Sequence, residues 1–177
     1  MIQIRQEQPS DYPAIQKLIQ EAFETIEYSD HQEHLLVERL RKSTAYIPEL
    51  ALVATIDEQI VGYILLTKLA IENKNVIIEE QVLALAPVAV SPTFQGQGIG
   101  GKLILEAHEI ARKLTYKAII LLGHQDYYPR FGYRQTAAYN ITLPFEAPEE
   151  NCMLYELYSN SLKNITGIVK YPRVFFE

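Results

Sequence analysis

Residues 85–105 read Leu-Ala-Pro-Val-Ala-Val-Ser-Pro-Thr-Phe-Gln-Gly-Gln-Gly-Ile-Gly-Gly-Lys-Leu-Ile-Leu. The pattern predicts an apolar strand, a short loop rich in glycine, and then a helix. Glycines allow the backbone to turn tightly and let several N–H groups approach one ligand. Because these donors lie at a helix N-terminus, where the helix dipole favours negative charge, the stretch predicts a binding site for a pyrophosphate. The glycines concerned are Gly96, Gly98, Gly100 and Gly101.

Two common phosphate-binding motifs match this stretch incompletely. Gly96–Gly101 has the dinucleotide-binding spacing G-x-G-x-x-G, but that motif requires an acidic residue about 20 positions further on. The chain has the apolar run Ile119–Leu122 there. Gly96 to Lys102 also matches most of a P-loop, except that Leu103 replaces the Ser or Thr that binds magnesium. A nucleotide-binding enzyme therefore remains an alternative, although each of the two motifs lacks one of its required residues.

Composition sets the broad class of the protein. The chain has 177 residues, of which 48% are hydrophobic and 21% charged, as expected for one globular domain. A net charge of −6 argues against a nucleic-acid-binding surface. Cys152 is the single cysteine, so no intramolecular disulfide can form. The N-terminus does not resemble a signal peptide, and no apolar run reaches the ~18 residues of a membrane span. We therefore expect a cytoplasmic protein that binds no membrane.

Hydrophobic periodicity predicts the order strand, two helices, three strands, helix, strand, short helix and two strands. Ser10 or Asp11 is predicted to cap the helix after the first strand. The predicted strands are 2–5, 50–56, 60–71, 81–90, 117–122, one from residue 133, and 153–157. The predicted helices run to about residue 26, to about residue 42, over 98–114, and over 126–131. No linker or repeat divides the chain.

A third motif, Gln95-x-x-Gly98-x-Gly100, resembles the Gln/Arg-x-x-Gly-x-Gly/Ala motif of the GNAT N-acetyltransferases, which hold the pyrophosphate of acetyl-CoA. Residues 127–133, Tyr-Tyr-Pro-Arg-Phe-Gly-Tyr, look like the Tyr-x-x-x-Gly-Phe/Tyr signature that closes the family's acetyl-CoA site. The run from Gly123 to Tyr133 further resembles an uncharacterised bacterial subgroup of acetyltransferases. The element order is also similar to that of the family.

The resemblance implies an α/β (in some schemes α+β) GNAT acetyltransferase fold. Its central mixed, mostly antiparallel sheet has fourth and fifth strands that splay apart, and helices flank it. The family domain would cover residues 1–158, and residues 159–177 would form a C-terminal extension packed on the same domain. Pro87 agrees with the splay on independent grounds, since a proline inside a strand marks an edge or a bulge.

The resemblance also implies a set of cofactor-binding residues for acetyl-CoA as cosubstrate, with no metal. The splayed fourth strand would contact the pantetheine and acetyl groups, and the glycine loop would contact the pyrophosphate. The strand residues are Val88, Ala89 and Val90. The loop residues are Gln95, Gly96, Gln97, Gly98, Ile99, Gly100 and Gly101.

Tyr128, four residues before Gly132, has the position of the tyrosine that protonates the departing thiolate in family members. A phenol has a pKa of about 10, which suits that task. The adjacent Tyr127 takes the role if the register differs by one residue.

The sequence does not identify the general base. Some family members have a glutamate where this chain has Ala84, which cannot accept a proton. Glu79 and Glu80 precede that position on the same strand, and His124 follows the fifth strand. A water chain or an amine that arrives neutral needs no dedicated base.

The predicted function is therefore transfer of an acetyl group from acetyl-CoA to a primary amine of a small molecule or a protein. A catalytically silent acyl-CoA-binding or sensor module is the alternative. The first two helices, their connecting loop and the C-terminal extension would select the amine, and the family also includes many homodimers. His31 and His34 have a spacing compatible with shared metal ligation, but a solvated helix face explains them better.

Overall fold

The computed structural model describes all 177 residues, which form one nine-stranded sheet and three α-helices. The helices are α1 (Tyr12–Phe23), α2 (Glu33–Arg41) and α3 (Ile99–Lys113). The first five strands are β1 (Gln3–Gln6), β2 (Tyr46–Ile56), β3 (Gln59–Asn73), β4 (Val76–Val90) and β5 (Ala118–Leu122). The others are β6 (Arg134–Gln135), β7 (Ile141–Thr142), β8 (Cys152–Glu156) and β9 (Gly167–Lys170). The predicted short helix is a 3-10 turn over Tyr128–Phe131.

The sheet has the order β1-β2-β3-β4-β5-β8-β6, and β9 pairs with both β3 and β7. Only the β4–β5 and β7–β9 pairs are parallel. The sheet is therefore mixed and mostly antiparallel, as the resemblance implies.

Both faces of the sheet are covered by helices, because the central strands alternate apolar side chains between two sides. In β2, Leu52 and Ala54 belong to the core that includes α3, whereas Ala51 and Val53 belong to the core that includes α1 and α2. The α3 positions Ile99, Leu103 and Ala107 are buried as predicted, together with Ile104, His108 and Ala111. The strands that lead to the glycine loop thus lie between α3 on one face of the sheet and α1 and α2 on the other.

Three boundaries differ most from the sequence prediction. β2 begins at Tyr46, four residues early. β4 begins at Val76, five residues early, because Lys74 and Asn75 both take positive φ values (49° and 62°) and extend the β3–β4 hairpin. α1 ends at Phe23, so Ile26 lies outside the helix. Asp11 is the N-cap of α1, one of the two predicted positions, but its side chain makes no hydrogen bond to that helix and instead accepts from Arg5 and from the Gln8 N–H.

Residues 159–177 pack on the sheet. Val169 in β9 pairs with Ile71 in β3. β9 thus lies along the same edge of β3 as β2, past Thr67, the last β3 residue that pairs with β2. The chain then reaches α2, where the Arg39 Nε donates to the Val174 carbonyl at 3.1 Å. No α-helix in the protein is long and apolar enough to cross a membrane.

Candidate active site

β4 and β5 part at one point, and this opens the edge of β4. Their parallel pairing covers only Val82–Ala84 of β4, opposite Ala118–Ile120 of β5. Beyond it, β4 continues to Val90 with β3 as its only partner. One extra β4 residue lies between the pairs Leu66–Leu85 and Ile64–Val88, so a bulge coincides with Pro87. The stretch Leu85–Val90 therefore presents backbone groups that no neighbouring strand uses.

A cleft of about 960 Å³ lies along this open edge. Its walls are the open part of β4, the glycine loop, the first turn of α3, the end of β5 and the turn that carries Tyr127 and Tyr128. The residues between α1 and α2 close its remaining side. Among the predicted cofactor-binding residues, the lining includes Val88, Val90, Gln95, Gly96, Gly98, Ile99, Gly100 and Gly101.

Two predicted cofactor-binding residues do not line the cleft. The Ala89 side chain is buried on the opposite face, in the core formed with α1 and α2. Since neighbouring strand residues point to opposite faces, only the Ala89 backbone can reach a molecule in the cleft. Gln97 is exposed at the loop and is not part of the lining.

The glycine loop needs glycine at two positions for its backbone conformation. Gly96 and Gly98 have φ values of +78° and +76°, and a Cβ on either would meet no atom within 4 Å. Gly98 is the N-cap of α3, so the free N–H groups of the first turn follow it directly. The Gln95 Nε2 donates to the Val90 carbonyl at 3.2 Å, which ties the loop to the end of β4.

The other two glycines make room for the tyrosine segment. A Cβ on Gly100 would lie 2.7 Å from the Tyr127 hydroxyl oxygen, and one on Gly101 would lie 3.1 Å from the Phe131 ring. The Arg130 guanidinium lies 4.2 Å from the centroid of the Tyr127 ring. The two motifs singled out in the sequence therefore pack directly against each other, a contact that neither motif predicts alone.

Tyr128 is held more firmly than Tyr127. Its side chain is 9% exposed within the main core, with its ring edge-on to Tyr127 and Tyr133 at centroid distances of 5.0 and 5.6 Å. A Cβ on Gly123 would lie 2.3 Å from the Tyr128 ring. Burial raises the pKa of the Tyr128 phenol, and the Tyr127 pKa is also raised by burial.

A buried aromatic cluster anchors this turn to α3. The His108 Nε2 lies 3.0 Å from the Tyr133 hydroxyl oxygen, and its ring stacks on Tyr155 at 4.3 Å. Burial, with a smaller contribution from Arg112, lowers the pKa of His108 to about 4. The imidazole is therefore neutral at physiological pH, and it packs and hydrogen-bonds rather than carrying charge.

The four positions considered for a general base have different surroundings. Ala84 is buried in the β4–β5 pairing. Glu79 is buried in an ion pair with Lys117 and also accepts the Gln81 N–H at 2.8 Å. Glu80 is exposed outside the cleft.

His124 does line the cleft. Its Nδ1 accepts the Asp126 N–H at 3.2 Å.

Sequence reasoning missed the residues that close the cleft opposite the glycine loop. These come from the end of α1, the following loop and the start of α2, and they are Phe23, Ile26, Tyr28 and Glu33. No motif marks them, because they are brought to the cleft by the packing of α1 and α2 on the sheet. His34 lies near this region, where its Nε2 is 3.3 Å from the Gln20 Nε2. No group of three His, Cys, Asp or Glu side chains is arranged to hold a metal ion.

Residues 12–133 match the model of the acetyltransferase (GNAT) family. The chain is also similar to the uncharacterised N-acetyltransferase YhbS of Escherichia coli strain K12, with 30% identity over 173 residues, 97% of each chain. The uncharacterised N-acetyltransferase YjhQ of the same strain is 31% identical over 150 residues, 83% of this chain and 82% of YjhQ.

Two solved structures share the architecture. One is the crystal structure of YhbS from Escherichia coli in complex with CoA, with a TM-score of 0.88 and 30% identity, covering 99% of this chain and 92% of that one. The other is a GNAT family acetyltransferase from Brucella melitensis in complex with acetyl-CoA, with a TM-score of 0.81 and 30% identity. That match covers 99% of this chain and 98% of the Brucella chain.

Proposed function

The chain belongs to the GNAT acetyltransferase family, and on that premise we propose that it transfers the acetyl group of acetyl-CoA to a primary amine of a small molecule or protein. The open edge of β4 at Leu85–Val90 carries the proposal, because it lies in one cleft with the glycine loop and Tyr128. The CoA and acetyl-CoA complexes of two similar proteins support this use of the cleft.

The cleft fits the chemical parts of the cosubstrate. The backbone groups of Val88–Val90 that β3 does not pair suit the amides of the pantetheine arm. The free N–H groups after Gly98, together with the helix dipole of α3, suit the pyrophosphate. Lys102, in the first turn of α3, adds positive charge to the cleft. Ala89 and Gln97 would take part through their backbone or from the rim of the loop.

Acetyl transfer forms a bond between the amine nitrogen and the carbonyl carbon and breaks the bond from that carbon to sulfur. The departing thiolate then needs a proton, which we assign to the Tyr128 hydroxyl. Burial keeps this phenol protonated at physiological pH. The same apolar surroundings raise the pKa of the CoA thiol that forms within the cleft. The pKa values of the phenol and the thiol are therefore shifted in the same direction. Solvent returns the proton to Tyr128 and receives the proton that the amine loses.

The test combines ligand binding with turnover. Acetyl-CoA, NAD and ATP are compared in thermal unfolding, because a ligand at 100 times its Kd stabilises the folded protein by about 2.7 kcal/mol. Thioester consumption is then followed over a panel of primary amines. We expect stabilisation by acetyl-CoA alone and turnover with part of the panel. Binding of acetyl-CoA with no turnover on any amine would instead indicate a silent acyl-CoA-binding module.

A further inference from the structure

The charges that line the cleft are separated into two ends. Lys102 and Arg130 lie at the glycine-loop end, on α3 and on the tyrosine turn. Glu33 lies at the other end, at the start of α2, and is the only carboxylate of the lining. One end therefore suits a phosphate, and the other suits a cation.

Glu33 is oriented but has no cationic partner. The Ser29 hydroxyl donates to its Oε1, and the His31 N–H donates to the Ser29 Oγ at 2.9 Å. No Lys, Arg or His nitrogen lies within 4.0 Å of its carboxylate. The side chain is half-buried, so its charge is less screened by water than that of an exposed glutamate. Its Oε2 is free to accept a hydrogen bond from a molecule in the cleft.

The surfaces beside Glu33 are apolar. Phe23 and Ile26 line the cleft next to it, and Tyr28 contributes an exposed ring from the same loop. A molecule that fills this end thus meets an apolar and aromatic wall with one negative charge. That combination favours an ammonium group attached to an apolar carrier.

We propose that Glu33 determines acceptor specificity by binding the ammonium form of a primary amine on an apolar or aromatic carrier. The inference rests on the proposed function, since it assigns the acceptor to the end of the cleft opposite the glycine loop. The ammonium loses its proton to solvent before its nitrogen attacks the acetyl carbon, so Glu33 contributes to binding and not to bond making.

A carboxylate at the start of a helix also stabilises that helix through its dipole. This structural role predicts a loss of stability that affects every substrate equally. A role in specificity predicts a loss confined to cationic acceptors. The two roles are separated by a pair of substrates that differ in charge and not in size.

The experiment uses two isomeric amines, 2-phenylethylamine, which is an ammonium at neutral pH, and 4-ethylaniline, which is neutral. Glu33→Gln is compared with the unaltered protein and with Glu38→Gln, which removes the same charge from an exposed site on α2 outside the cleft. A charge-assisted hydrogen bond is worth about 1.5–3 kcal/mol, so KM for 2-phenylethylamine should rise about 10-fold or more in Glu33→Gln. We expect kcat for 2-phenylethylamine not to fall, because the interaction that is lost favours the unreactive ammonium form. We expect 4-ethylaniline and Glu38→Gln to show less than about a 2-fold effect.

Equal losses for both amines, or no loss for 2-phenylethylamine, would overturn the role of Glu33. Turnover of 4-ethylaniline alone by the unaltered protein would do the same and would leave the proposed function intact. No turnover of either amine, with turnover of other amines of the panel, would overturn the role of Glu33 alone. Acetyl-CoA binding without turnover of any amine would overturn both proposals.

Discussion

The two ends of the cleft are built in different ways. The glycine-loop end is made of backbone, from positive-φ turns at Gly96 and Gly98 and the first turn of α3. The opposite end is made of side chains that arrive from α1, its following loop and α2, among them Phe23 and Glu33. Backbone recognition suits the part of acetyl-CoA that every family member shares. Side-chain recognition allows the acceptor to differ from one member to another while the fold stays the same.

The largest effect is expected at the backbone end, from Gly98→Val. The variant keeps space for its Cβ but places a β-branched residue at a φ of +76°, directly before the N–H groups of α3. Losing two charge-assisted hydrogen bonds of about 2 kcal/mol each would raise the Kd for CoA about 1000-fold. Calorimetric titration with CoA measures this. Unchanged affinity in a folded Gly98→Val protein would show that the glycine end does not bind the pyrophosphate.

Tyr128→Phe should have the next largest effect, because it removes the proposed acid and keeps the ring that packs in the core. We expect kcat to fall about 100-fold, with little change in the KM for acetyl-CoA. Steady-state kinetics with an accepted amine check both values. Tyr127→Phe is the matched control. If Tyr128→Phe is fully active and Tyr127→Phe is inactive, the general acid is Tyr127. If both variants are active, solvent protonates the thiolate.

Gly100→Ala tests the contact between the two motifs. Its Cβ would lie 2.7 Å from the Tyr127 hydroxyl, whereas the next Tyr127 atom is 3.9 Å away. We expect destabilisation of about 1–2 kcal/mol in the unaltered background, and none in the Tyr127→Phe background. Urea unfolding of the four proteins completes this double-mutant cycle.

An equal cost of Gly100→Ala in both backgrounds would mean that Tyr127 is not the reason for the glycine. The cycle also separates this contact from the expectation drawn from the motif alone, in which the Gly100 position is kept small for the pyrophosphate. In the structure the first group that a side chain there would meet belongs to Tyr127.

Gln95→Ala should have the smallest effect. Its one hydrogen bond, to the Val90 carbonyl, lies at the surface and ties the loop without packing in the core. We expect the Kd for CoA to rise about 5-fold, and the melting temperature without ligand to stay the same. A large drop in that melting temperature would assign Gln95 a structural role.

Much of the fold could be predicted from the sequence because its signals are local. Apolar runs such as 117–122 predict a sheet that is covered on both faces. Apolar residues at helical spacing predict the extent of α3. The start of β4 could not be predicted well, because the turn at Lys74 and Asn75 contains no glycine. β7 and β9 have two and four residues, too short for a periodic pattern, and depend on pairing between distant segments.

The same distinction applies to the site. The glycine loop is contiguous in sequence. Because its backbone conformation requires glycine, the loop can be recognised from the spacing of its glycines alone. The contact between Tyr127 and Gly100 joins residues 27 positions apart, and Glu33 reaches the cleft only after α2 packs on the sheet. Such side chains have no local signature. The resemblance therefore indicates that the first two helices and their loop select the amine, but the residues that line the cleft there are identified only in three dimensions.

Amide hydrogen exchange with and without CoA tests the central claim most directly, since it reads the open edge of β4 itself. The edge at Leu85–Val90 lacks a second strand, so its free amides should exchange readily in the unliganded protein. We predict that CoA slows exchange in peptides covering residues 85–90 and 96–102, and leaves the paired stretch 50–56 of β2 unchanged. Protection confined to other segments, or none under saturating CoA, would contradict the assignment of this cleft as the acetyl-CoA site.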